Sequence, residues 1–121
     1  MAMTTVELDP PHDRSVLDRY ETIRDYTRVM QHCARAGDWD RLIELQTTYV
    51  SAVQELAEHE GGITLTPPAT DRKIALIGEI QTAEGEVRSR LEQRLHELSH
   101  FMTQARQRQG AVRAYETQGL R

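Results

Sequence analysis

The sequence has little of what most function classes need. Among its 121 residues are one cysteine, one tryptophan and one phenylalanine. The lone Cys33 excludes an internal disulfide. "MAMTTVELDPPHD" has no basic region followed by an apolar run, so no secretory segment is read, and a cytoplasmic location is expected. No stretch approaches about 18 uninterrupted apolar residues, which excludes a spanning helix. Acidic residues outnumber basic ones, 19 to 15, so direct binding to nucleic acid is not expected. Gly61-Gly62 lacks the following lysine and the strand context of a phosphate loop. No internal repeat is visible, and no window alternates apolar and polar residues long enough to predict a strand.

What remains is helix chemistry: Glu, Gln, Arg, Leu and Ala in abundance. Pro10-Pro11 argues against a helix at the start, and residues 1–13 read as a flexible arm. From Ser15 on, Val16, Tyr20, Ile23, Thr27, Met30 and Ala34 alternate steps of four and three, the stripe of one helix. Gly37 suits the left-handed residue that ends a helix, and Asp38 suits the cap of the next. The second helix is expected over 39–58, with Trp39, Leu42, Ile43, Gln46, Tyr49, Val50, Val53, Leu56 and Ala57 on its inner face. "EGGITLTPPAT" breaks it. Thr70 or Asp71 is expected to cap a long third helix, faced by Ile74, Ile77, Ile80, Val87, Leu91, Leu95, Leu98, Met102 and Ala105. It weakens near Gly110, and a short fourth helix carries Val112 and Tyr115. The fold class is therefore all-α: an antiparallel three-helix bundle over 14–106, with residues 107–121 as a separate C-terminal segment.

The lengths do not match. Two helices of about 20 residues span about 30 Å, and a third of about 35 spans about 50 Å. Its partners run out near residue 92, while the apolar face continues through Leu95, Leu98, Phe101 and Met102. Each large side chain left in water forgoes about 1.5–3 kcal/mol. A cover is expected: the tail after Gly110, a second copy of the chain, or another protein. Gly78, Thr82, Gly85 and Ser89 form a small-residue stripe, read as the close approach of a neighbouring helix.

Other signals carry less. "HELSH" at 96–100 matches H-E-x-x-H, in which two histidines one turn apart ligate zinc and the glutamate acts as base. After His100 the only carboxylate that could be a third ligand is Glu116, in the tail, and no second lobe exists to form a cleft. Catalytic residues, a metal centre and cofactors are thus expected to be none, although the His96/His100 pair retains the capacity for adventitious metal binding. Cys33 flanks the first stripe as a packing residue, and Trp39 is expected to wedge the bundle end. Arg88, Arg90 and Arg94 read as a solvated face or as fixed donors for a partner's carboxylates.

Two stretches add a resemblance. "WDRLIELQTTYVSAVQEL" (39–56) resembles the second helix of the FliT family of flagellar type III export chaperones. "QRLHELSHFMTQARQRQGAVRAYETQ" (93–118) is similar to that family's third-helix end and C-terminal segment. Trp39-Asp40, Tyr49-Val50, Ala52-Val53-Gln54-Glu55, Arg94, Glu97-Leu98, Ala114-Tyr115 and Gln118 carry the match. The resemblance implies a chaperone, not an enzyme, that binds the flagellar filament-cap protein, keeps it unassembled and delivers it to the export ATPase and export-gate components. Some relatives also bind the flagellar master transcriptional regulator. The expected docking surface is Ile77, Ile80, Arg88, Leu91, Arg94, Leu95 and Leu98, with Val112 and Tyr115 in an autoinhibitory tail. The alternatives are a generic helical adaptor or coiled-coil homodimer and, remotely, a zinc metallopeptidase.

Overall fold

Residues 11–119 are described by a computed structural model, and they form three α-helices: α1 (Pro11–Ala36), α2 (Trp39–Glu60) and α3 (Pro67–Gly119). Prolines begin two of them. A first-turn residue has no intrahelical use for its N–H, so Pro11 and Pro67 lose nothing by lacking one. This moves both starts upstream of the expected Ser15 and Thr70. Thr66 takes the cap position instead: its carbonyl accepts from the Thr70 amide at 2.9 Å. Residues 1–10 of the expected arm lie outside the described residues.

The α1–α2 junction forms as the sequence predicts. Gly37 sits at φ 73°. Its amide reaches the Ala34 carbonyl (3.3 Å), and the Asp38 amide reaches that of Cys33 (2.9 Å), closing the last turn of α1. The Asp38 carboxylate then accepts from the Arg41 amide at 3.4 Å, capping α2.

The expected break near Gly110 does not occur, and no separate fourth helix forms among the described residues. Gly110 lies within α3. One interior glycine costs about 1 kcal/mol relative to alanine, which the Ala, Arg, Gln and Glu residues around it offset.

The chain divides into two units, 1–87 and 88–121. The first holds the core: Val16, Tyr20 and Ile23 of α1, Leu56 of α2, and Leu76 and Ile80 of α3. Every member of the expected α1 stripe is buried, with Cys33 and Asp13 beside it. Asp13 is satisfied by Thr66, whose amide (3.3 Å) and hydroxyl (2.5 Å) both donate to it. Ser15 meets His59 at 2.6 Å, so α1 and α2 run antiparallel. Between α1 and α3, ion pairs recur every seven residues: Glu21–Arg72 (3.6 Å), Arg28–Glu79 (3.4 Å) and Arg35–Glu86 (2.5 Å). Residue numbers rise together along both helices, so this pair is parallel.

Two expectations about α3 are corrected here. Its buried residues are Ala69, Leu76, Ile80, Ala83 and Val87, while Ile74 is 62% exposed. The small-residue stripe faces outward: a Cβ at Gly78 or Gly85 would meet nothing within 4 Å. No helix approaches there closely enough to require glycine.

The second unit, over its described residues, is the single helical stretch 88–119. Leu91, Arg94 and Ala105 are half-buried, and the rest of 88–118 is exposed.

Candidate partner-binding surfaces

In the first unit, α2 and α3 leave an apolar groove of about 310 Å³ between them, floored by α1. Leu56 and Ile80 are buried at its base, and Tyr49, Val53 and Ile77 form its walls. The wall arises because α2 is apolar round about half its circumference. Leu42, Leu45, Tyr49, Ala52 and Leu56 turn inward, whereas Ile43, Gln46, Val50, Val53 and Ala57, expected inside, are exposed. An amphipathic helix or an extended apolar strip fits such a groove.

A polar cluster closes one end. Glu60 receives the Tyr20 hydroxyl at 2.7 Å and the Lys73 ammonium, which also stands 5.6 Å above the centre of the Tyr20 ring. Burial alone would push the Glu60 carboxyl up. The hydrogen bonds from Lys73 and Tyr20 outweigh it and hold the carboxyl below its ordinary range. Burial, joined by the bond to Glu60, raises the Tyr20 phenol, and the bond to Glu60 raises Lys73. The groove therefore ends in a fixed donor–acceptor group. Sequence reasoning missed this cluster because Tyr20 and Glu60 lie forty positions apart.

In the second unit, the apolar row is Leu91, Leu95, Leu98, Phe101 and Met102. Leu95 and Phe101 are each 64% exposed. Arg94 lies along the row and meets Glu97 at 3.9 Å, while Arg88, before the row begins, is exposed. Val112 is exposed, and Tyr115 is 79% exposed.

The expected docking residues thus divide. Ile77 and Ile80 line the groove of the first unit, and Ile80 is core: a partner meets it only as floor. Arg88, Leu91, Arg94, Leu95 and Leu98 share one stretch in the second unit. His96 and His100 are exposed, and Glu97 faces Arg94 and Gln93 (3.5 Å) rather than a cleft. Among the described residues no three His, Cys, Asp or Glu side chains gather where a metal ion could be held. No helix among them is long and apolar enough to cross a membrane.

Comparison with known proteins gives a consistent set of relatives. The family model described as "Flagellar protein FliT" matches residues 17–117. Flagellar protein FliT of Photorhabdus laumondii is 28% identical over 94 residues, covering 78% of this chain and 75% of the relative. That of Shigella sonnei is 26% identical over 100 residues, covering 83% of each. The crystal structure of flagellar protein FliT from Bordetella bronchiseptica is similar with a TM-score of 0.63 at 29% identity, covering 71% of this chain and 98% of that one.

Proposed function

Because this chain belongs to the flagellar protein FliT family, we propose that it is a flagellar type III export chaperone. It binds the filament-cap protein, prevents its premature assembly and delivers it to the export ATPase and export-gate components in the cytoplasm. Binding of the flagellar master transcriptional regulator, with repression of flagellar genes, is a further role in the same reading. No catalytic step is assigned, and the purified protein is expected to leave a casein-like substrate intact in a peptidase assay.

The observation that carries the reading is the apolar row Leu95, Leu98, Phe101 and Met102, which lies in water at a cost of about 1.5–3 kcal/mol per large side chain if fully exposed. A client whose own apolar assembly surface needs shielding supplies the complement. An amphipathic helix of that client sets its apolar anchors on the row and its acidic groups near Arg88 and Arg94. Val112 and Tyr115 belong to a tail that competes for the row.

Leu95→Asp tests this. Leu95 makes no core contact, so circular dichroism should be unchanged while the variant loses the cap protein in a pull-down. Undiminished capture sinks the assignment of the row. Val53→Asp, in the groove of the first unit, then shows whether the client sits there. The same row favours a second reading, a homodimer seam. Light scattering that shows a dimer in wild type and a monomer in Leu95→Asp, with no client bound by either, would establish it.

A further inference from the structure

We propose that residues 98–115 of α3 bind the surface of an anionic lipid membrane, lying in its plane. Charge is unevenly placed along the chain. Residues 88–121 carry seven arginines and three glutamates, a net +4, while the whole chain is −4, so residues 1–87 carry −8. Between Glu97 and Glu116 there is no acidic residue, and Arg106, Arg108 and Arg113 are exposed there. None of these three guanidinium groups has an ion-pair partner among the described residues. At about 100° per residue, Leu98, Phe101, Met102, Ala105 and Val112 fall within about 60° of one line along the helix. Arg108 stands about 60° to one side of that line, and Arg106 and Arg113 about 80–100° to the other. Thr103, Gln107 and Ala114, all uncharged, lie about 160–180° from it.

An apolar stripe edged by arginines on both sides suits a helix that lies in a membrane interface. The apolar side chains enter the acyl boundary, and the arginine stems bend outward so that each guanidinium meets a headgroup phosphate. Tyr115, exposed on the Arg108 side, presents an apolar ring with a polar tip, which suits the same depth. The second unit is a single helical stretch over its described residues, so it offers a convex surface with no groove. A fluid lipid surface wraps a convex helix, whereas a rigid protein needs a matching concavity. No helix among the described residues is long and apolar enough to cross a membrane, so the contact is in-plane. The same surface repels the acidic residues 1–87, which leaves the contact to this stretch. With three arginines and one short stripe, binding is reversible and sensitive to salt. Leu98, Phe101 and Met102 are shared with the client row, so lipid and client exclude one another, but the lipid contact stands without the client reading.

The test is co-sedimentation of the full-length, tag-free chain with vesicles of phosphatidylcholine and phosphatidylglycerol in equal parts. The chain should pellet with these and stay in solution with phosphatidylcholine alone. About 1 M NaCl, where the screening length falls to about 3 Å, should release it. Each arginine near an anionic surface is worth about fivefold in partition, so joint Arg106→Gln, Arg108→Gln and Arg113→Gln should weaken binding by about 100-fold. Phe101→Gln should weaken it by about tenfold or more. Arg41→Gln, on α2, should leave it unchanged, and circular dichroism should show every variant as helical as wild type. No sedimentation with the mixed vesicles overturns the proposal. So does equal sedimentation with phosphatidylcholine alone, and so does a triple-arginine variant that binds like wild type. Capture of poly-glutamate without any vesicle binding would likewise overturn it and give the arginines to an acidic protein instead.

Discussion

Glu60 shows what single residues contribute. Two donors hold its carboxyl ionised at the end of the α2–α3 groove. Its folded pKa is lowered from an ordinary 4.5, so the stability it supplies is present above that value and is lost as pH falls through the lower folded one. Glu60→Gln should therefore flatten the acid limb of a stability–pH curve below about pH 4.5, measured by urea unfolding at stepped pH. Tyr20→Phe removes one donor to the ionised carboxylate and should cost about 1.5–3 kcal/mol. An acid limb identical in wild type and Glu60→Gln would place the titrating group elsewhere. None of this was legible in the sequence, because the three side chains come from positions 20, 60 and 73 and meet only after the helices pack. Local chemistry was legible: Gly37 and Asp38 act within four residues of themselves and took the conformations that their side chains dictate.

At the scale of elements, α1 was read residue by residue because its sequence offers one apolar phase. In "IALIGEI" two phases compete. Ile74, Ile77 and Ile80 outweigh Leu76 by size, yet Leu76, Ile80, Ala83 and Val87 keep the alternation of four and three that packing along a neighbour requires. Ala69 and Ala83 carry too little apolar signal to declare the phase. The two readings differ in a measurable way. Leu76 is 0% exposed, so Leu76→Ala should destabilise by about 2–5 kcal/mol. Ile74→Ala, on the outside, should stay within about 0.5 kcal/mol. Chemical denaturation of both variants checks it, and comparable losses would restore the sequence phase. Register has a second determinant. The rungs Glu21–Arg72, Arg28–Glu79 and Arg35–Glu86 reverse polarity after the first. A slip of seven residues would set Glu21 against Glu79, so the reversal disfavours the slipped register although each exposed pair contributes only about 0–1 kcal/mol.

For the whole molecule, the family match covers most of both units, and the tail is where we expect binding to be regulated. In the second unit α3 runs through Gly110, and Val112 and Tyr115 stand in water. A bend at Gly110 would bring those side chains back toward the row at Leu95 to Met102. Docking two of them contributes about 1.5–3 kcal/mol each, against about 1–2 kcal/mol for each residue fixed in the turn. The two sums are of similar size, so a folded-back form is expected beside the straight one, and it would lower apparent client affinity by the fraction of chains it occupies. Gly110→Ala meets no steric obstacle. It favours the straight helix by about 1 kcal/mol, which limits the gain in affinity to about fivefold. Removal of residues 108–121 should tighten client binding in the same direction, with the thermal melt of residues 1–87 unchanged because their core lies wholly within that unit. Calorimetric titration of wild type, Gly110→Ala and the truncation against one client decides it. Equal affinities would remove the gate, and a truncation that weakens binding would make Val112 and Tyr115 part of the docking surface itself.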